Sequence, residues 1–104
     1  MNGTQYELRI LPLFEDRLQE TADYIAFQLQ NPVAALRFVD AVETAILERL
    51  TSPESFEPYH SKKDREHTYY TIPVKNYLVF YVVIGNVMEV RTLIYARRNL
   101  PELI

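Results

Sequence analysis

The segment Tyr77 to Ile84 constrains this 104-residue chain more than any other. All eight of its residues are apolar or aromatic, and several are β-branched, a composition that favours a strand. The segment is much too short for a membrane helix, which needs about 20 apolar residues. Because both of its faces are apolar, we predict a strand inside a sheet, with neighbours on both sides.

Three further segments have the composition of strands. Residues 6–11 lie near the N-terminus, residues 67–74 precede the apolar segment, and Val87–Tyr95 follows it. Gly85-Asn86 separates the last two strands, and glycine at the first central position is typical of a type II′ hairpin turn. Alternation in the last strand predicts two faces, one with Glu89 and Arg91 and the other with Met88, Val90 and Ile94.

Two amphipathic helices are predicted between the first strand and the others. Apolar residues recur at helical spacing over residues 13–30 and again after residue 32. Asn31-Pro32 separates the two, since the residue before proline avoids the α region and Asn-Pro also favours a new helix start. The predicted stripes are Phe14, Leu18, Ala22, Ile25 and Leu29 in the first helix, and Ala35, Phe38 or Val39, Val42, Ile46 and Leu50 in the second.

The predicted order is therefore β-α-α-β-β-β, an α+β fold in which an antiparallel helical hairpin packs on a mainly antiparallel sheet. The length fits a single domain spanning residues 1–104. The absence of cysteine excludes a disulfide scaffold and a thiolate metal site. No segment has the length of a membrane helix or the character of a secretion signal, so we expect a cytoplasmic protein without membrane contact.

Charge is divided unevenly along the chain. The net charge is −3, but residues 1–58 carry −6 and residues 59–104 carry +3. An acidic protein is a poor candidate for sequence-blind nucleic-acid binding, which depends on a basic surface. The second part also contains both histidines and six of the eight tyrosines, so it is the place to look for an anion site.

Several strings, in this order and at this spacing, resemble the RelE/ParE superfamily of small bacterial toxins. They cover nearly the whole chain, although much of the likeness lies in core and turn residues, which report on the fold more than on the activity. The strings are Ala22-Asp23-Tyr24-Ile25, Asn31-Pro32-Val33-Ala34-Ala35, then Ile46, Leu50 and Pro53, then Asn76-Tyr77-Leu78-Val79-Phe80-Tyr81, and finally Ile94-Tyr95-Ala96-Arg97-Arg98-Asn99-Leu100.

The resemblance implies the toxin of a type II toxin–antitoxin system, with a cognate antitoxin as partner and no cofactor. RelE-like members cut mRNA on the ribosome, whereas ParE-like members poison DNA gyrase. We favour the ParE-like alternative because RelE-like members usually carry an arginine where this chain has Leu78, directly after Tyr77. A third alternative is a module that binds its antitoxin and is no longer toxic. Whether the chain is an enzyme stays open at this point.

If the chain is a metal-independent endoribonuclease, its chemistry needs acid–base groups and cations close to one phosphate. The residues that fit are Arg65, Arg91 and Tyr95. For binding a partner or nucleic acid the candidates are Lys62, Lys63, Arg97 and Arg98. His60 and His67 lack other ligands at a suitable spacing, so no metal site is predicted.

Overall fold

The computed structural model describes residues 5–60 and 66–97. Its secondary structure follows the predicted order, with one additional π-helical turn at the end of the first helix. The elements are β1 (Glu7–Ile10), α1 (Pro12–Asp23), the π-helical turn (Tyr24–Gln28), α2 (Pro32–Arg49), β2 (Tyr70–Val74), β3 (Tyr77–Ile84) and β4 (Val87–Tyr95). The α+β prediction is confirmed.

The four strands form one sheet in the order β1-β4-β3-β2. β2, β3 and β4 are joined as antiparallel neighbours, while β1 runs parallel to β4. The apolar strand β3 is interior, as its two-sided pattern predicts. β2 begins at Tyr70 rather than at residue 67, because Tyr69 instead forms an isolated antiparallel bridge with Tyr59 of the preceding loop.

Both chain reversals that the sequence marks most clearly are confirmed. Gly85 has a φ of +61°, which is the backbone that a type II′ turn requires at its first central residue. Asn31 caps α2 by accepting a hydrogen bond from the Ala34 N–H at 3.0 Å, and Pro32 occupies the first helical position. Asn31-Pro32 and Gly85 therefore each mark a point at which the chain reverses between two longer elements.

The helical hairpin covers one face of the sheet, and the core lies between them. The buried residues of the helices and of the central strands confirm the predicted apolar faces, with one exception among the helices and one in the sheet. They include Phe14, Phe38, Val42, Ile46, Val79, Tyr81, Met88 and Val90.

Leu29 is the exception among the helices. The stripe predicts it to be buried, but 56% of it is exposed. The stripe assumes 3.6 residues per turn, whereas the chain widens into the π-helical turn after Asp23 and ends at Gln30, which has a φ of +52°. The extra residue in the wider turn shifts the positions that follow it around the helix axis.

Ile94 is the exception in the sheet, because Leu93 occupies the core position predicted for it. The register explains the difference. Tyr81 pairs with Val90 while Phe80 pairs with Thr92, so Arg91 is an additional residue in β4. Such a β-bulge reverses the alternation of side chains beyond it, and the sequence carries no glycine or proline to announce it.

A polar network closes the base of the helical hairpin, where α2 ends. The Tyr81 hydroxyl donates to the Pro53 carbonyl oxygen at 2.7 Å and accepts from Arg49 Nη1 at 2.8 Å. Arg49 also donates to the Thr71 carbonyl at 3.1 Å and lies 3.5 Å from the centre of the Phe56 ring. Burial raises the pKa of Tyr81, although the hydrogen bond from Arg49 acts in the opposite direction.

Candidate functional site

Three charged side chains meet on the sheet face that the helices leave uncovered. Glu89 of β4 is only 6% exposed and accepts hydrogen bonds from two arginines. Arg9 Nη1 lies 3.0 Å from Glu89 Oε2, and Arg91 Nε lies 2.9 Å from Glu89 Oε1. Arg91 Nη1 also contacts the Tyr69 hydroxyl at 3.3 Å. We call Arg9, Glu89 and Arg91 the ion cluster.

The contacts within the ion cluster favour the charged forms of Glu89 and Arg91. Burial on its own would raise the pKa of the Glu89 carboxyl, but the hydrogen bonds from Arg9 and Arg91 outweigh it and the pKa is lowered. For Arg91 burial acts downward, yet contacts with Tyr69 and Glu89 leave its pKa raised. Arg91 is therefore a permanent cation that shares the Glu89 carboxylate with Arg9.

Tyr95 lies on the other face of the sheet. It is the register partner of Tyr77, and the two ring centroids are 5.3 Å apart. Tyr77 in turn packs edge-on against Phe38 of α2 at 5.2 Å. The bulge at Arg91 is what separates the two predicted catalytic residues, because it places Arg91 beside Glu89 while Tyr95 points towards the helices.

The remaining predicted site residues are distributed as follows. Arg65 of the nuclease set and Lys62, Lys63 and Arg98 of the partner-binding set lie outside the described residues. Arg97 is exposed and follows shortly after the end of β4. The structure thus leaves these assignments as predictions.

A groove opens at the tip of the helical hairpin, between the helices and the sheet. Its helical wall is made by the π-helical turn, by Leu29 and by the first turns of α2. Tyr24 and Leu29 are half exposed there, while Phe38 is buried and forms the floor. The cavity has a volume of about 690 Å³, which is within the range of ligand-binding clefts. We call it the tip groove.

The opposite wall of the tip groove comes from the sheet. Tyr77 and Tyr95 supply two aromatic rings, and the β2–β3 turn supplies Lys75 and Asn76. The turn is joined to the end of β4 by a hydrogen bond from the Ala96 N–H to the Asn76 carbonyl, 2.8 Å long. Tyr95, a candidate catalytic residue under the nuclease alternative, therefore lines an apolar groove. Hydrophobic periodicity cannot reveal such a groove, because the shape of the groove depends on where the π-helical turn ends.

Side chains that could bind a metal ion do not cluster in the part of the chain that the structure describes. Within residues 5–60 and 66–97, no three histidine, aspartate or glutamate side chains are grouped closely enough to hold a metal ion. None of the helices in the same ranges has both the length and the apolar character needed to cross a bilayer.

Comparison with known protein families assigns the chain to one of them. The family model described as the ParE toxin of the type II toxin–antitoxin system parDE matches residues 8–100. The chain belongs to the ParE toxin family. This places it in the RelE/ParE superfamily that its sequence resembles. No curated protein matches the chain.

A solved structure agrees with this family at the level of the fold. A structure described as the chromosomal ParDE toxin–antitoxin system from P. aeruginosa superposes with a TM-score of 0.75 at 11% identity, and the match covers 91% of this chain and 100% of that one. The archaeal RelE–RelB complex from Pyrococcus horikoshii OT3 shares 22% identity over 90% of this chain and 98% of that one. Its TM-score is 0.45, so it adds nothing to the assignment.

Proposed function

We propose that this ParE-family protein inhibits DNA gyrase by binding to it, without chemistry of its own, and that a cognate antitoxin neutralises it. Family membership supplies the toxin class. The gyrase target and the antitoxin partner are the parts that we add.

The placement of Arg91 and Tyr95 is the observation that supports a binding role over a nuclease role. RNA cleavage without a metal needs an acid–base group and free cations converging on one phosphate. Arg91 is instead ion-paired with Glu89 at 2.9 Å, and Tyr95 packs against Tyr77 on the opposite face. Leu78 also occupies the position where RelE-like members usually have an arginine. In the described part of the open face, both arginines of the ion cluster are thus engaged by one carboxylate.

Pulse labelling after tightly controlled induction in bacteria tests the target. We expect thymidine incorporation to fall before methionine incorporation, because gyrase inhibition stops replication first. An earlier fall in methionine incorporation would favour the mRNA endoribonuclease, which acts on translation. Continued growth with both incorporations unchanged would favour the non-toxic antitoxin-binding module.

Purified components then separate binding from chemistry. We expect the full chain to inhibit DNA supercoiling by gyrase, and we expect the Arg91→Ala/Tyr95→Phe double variant to stay toxic if it remains folded. The single Tyr95→Phe variant is the matched control, since it removes the proposed acid and preserves the ion cluster. Loss of toxicity in this single variant, with normal folding, would contradict a mechanism without chemistry.

A further inference from the structure

The four-stranded sheet ends in β1 on one side and in β2 on the other, and the two edge strands differ in how well a further strand can pair with them. Natural proteins commonly interrupt an edge with proline, which has no N–H to donate. β2 carries such a residue. Because Val74 and Tyr77 pair across the two-residue β2–β3 turn, the alternation of the ladder turns Pro73 away from β3 and towards the outer edge. The edge at β2 is therefore interrupted.

The edge at β1 contains no proline, and its outward backbone groups are intact. The Glu7 N–H donates to the Asn86 carbonyl of the neighbouring segment at 2.7 Å. The Leu11 N–H donates to the Val90 carbonyl at 3.0 Å. Residues 7, 9 and 11 thus face β4, and the same alternation turns the N–H and C=O of Leu8 outwards. β1 is the edge that can accept another strand.

The sequence of β1 is complementary to itself in an antiparallel arrangement. With a two-fold axis at Leu8, this residue meets the partner subunit's Leu8, and Glu7 meets the partner subunit's Arg9. The leucines form the hydrogen-bonded pair, because their backbone groups point outwards. Glu7 and Arg9 form a pair without hydrogen bonds, in which the Cα atoms are only about 4.5 Å apart. Opposite charges in such a pair stabilise the sheet.

The ion cluster has room for this second carboxylate. Arg9 and Arg91 share Glu89, so two cations of the cluster face one anion. The Arg9 side chain is 54% exposed, and a guanidinium group has five N–H donors, so Arg9 retains donors for a further acceptor. Glu7 is exposed two residues away on the same face, and it is absent from the ion pairs formed among the described residues.

We propose that two copies of this chain pair antiparallel through β1, about a two-fold axis at Leu8, so that the partner subunit's Glu7 joins the ion cluster at Arg9. The two four-stranded sheets then form one continuous sheet. The pairing uses the β1 edge of both copies, and Pro73 interrupts the β2 edges, so assembly ends at a dimer and not at a filament. The inference is independent of the proposed function, because it uses neither gyrase nor the antitoxin.

A second copy fits this edge better than an unrelated strand. Any strand can pair with the outward backbone groups, but the partner must also present a cation to Glu7 and a carboxylate to Arg9. β1 itself has this pattern around a central leucine, and the pairing covers Leu8, which is 37% exposed. Each strand has only four residues, so the interface is smaller than the about 1,200 Å² of stable complexes. We therefore expect a weak dimer with a Kd of about 10 μM or more.

Analytical ultracentrifugation of the full chain over about 5–500 μM measures the association. We expect the mean mass to rise with concentration from the monomer value of 12.3 kDa towards twice that value. Glu7→Lys should weaken the association at least about tenfold, because it places a like charge opposite Arg9 twice in each dimer. The matched control is Glu43→Lys, which makes the same change of charge at an exposed position of α2 and should leave the association unchanged.

A cysteine at position 8 tests the register. The chain has no cysteine of its own, so Leu8→Cys introduces its only thiol. In the proposed pair the two Cα atoms at this position are about 5.5 Å apart, within the about 4.4–6.8 Å that a disulfide spans. We expect Leu8→Cys to form a covalent dimer under mild oxidation. Leu47→Cys, at an exposed leucine of α2, is the control and should form little of it.

Three results would overturn the proposal. They are a chain that stays monomeric over the whole concentration range, a dimer that Glu7→Lys does not weaken, and a Leu8→Cys variant that cross-links no better than Leu47→Cys. Thermal melting checks that each variant is folded. If Glu7→Lys does not fold, Glu7→Gln replaces it, because it removes the ion pair without adding repulsion and should weaken the dimer about threefold.

Discussion

The two ends of the helical hairpin are built differently. At the base, Arg49 and Tyr81 join α2, the loop after it and two strands through hydrogen bonds of 2.7 to 3.1 Å. At the tip, the helices and the sheet separate around an apolar groove bordered by Lys75. The base satisfies its polar groups within the protein, whereas the tip leaves apolar surface in contact with solvent.

The base of the hairpin therefore contributes stability, and the tip keeps apolar area uncovered. Stability comes from closed packing and satisfied polar groups, and a binding surface needs apolar area that the protein does not cover itself. The tip also contains both residues in the described part of the chain that adopt a positive φ without being glycine, Gln30 and Lys75. Backbone strain of this kind is often concentrated at functional sites.

The largest expected effect compares one substitution at the two ends. Ile46→Ala, at the base, should lower the free energy of unfolding by about 3–4 kcal/mol, because Ile46 is 3% exposed and its loss leaves a cavity. Ile25→Ala, on the wall of the tip groove, should cost only about 1 kcal/mol, since its side chain is partly exposed already. Urea denaturation measures both. Equal losses would remove the contrast between base and tip.

A second comparison removes one hydroxyl from each end. Tyr81→Phe should cost about 2 kcal/mol, because the Pro53 carbonyl and the Arg49 guanidinium would each lose a buried partner. Tyr77→Phe is the matched control and should change stability by less than about 0.5 kcal/mol, since the contacts of Tyr77 with Phe38 and Tyr95 are made by its ring. A large effect at Tyr77 would show that the tip also depends on a polar network.

The ion cluster extends the comparison to the open face of the sheet. The pKa of Glu89 is lower in the folded protein than its usual value of 4.5, so its stabilising effect is complete above that pH and is lost as the pH falls through the folded pKa. Glu89→Gln should therefore cost about 1–2 kcal/mol at about pH 7. The difference between parent and variant should shrink below about pH 4.5. Denaturation curves over about pH 3–7 test this, and a constant difference would argue against an ionised Glu89.

Much of the fold was predictable, because it follows from strong local signals. The two-sided apolar pattern of Tyr77–Ile84 places β3 inside the sheet, and Asn31-Pro32 and Gly85 mark two reversals of the chain. The parallel pairing of β1 with β4 has no such local signal. It joins segments far apart in the sequence, and a period of two does not specify which edge of the sheet a strand joins.

The candidate site was less predictable, because irregular backbone builds it. The bulge at Arg91 and the π-helical turn after Asp23 each insert one residue into a regular element, and each moves the side chains beyond it. Tyr95 and Leu29 consequently both line the tip groove, although Tyr95 was a candidate of the nuclease alternative and Leu29 was predicted for the core. Neither insertion has a glycine or proline that would reveal it in the sequence.

The smallest expected effect tests backbone strain at the tip. Gln30→Gly and Lys75→Gly should each raise stability by up to about 0.5–1 kcal/mol, because glycine adopts φ values of +52° and +55° without steric cost. Calorimetry measures the stability of both variants against the parent. If neither variant gained stability, the positive φ values at the tip would carry no strain, and the base and the tip would differ in packing alone.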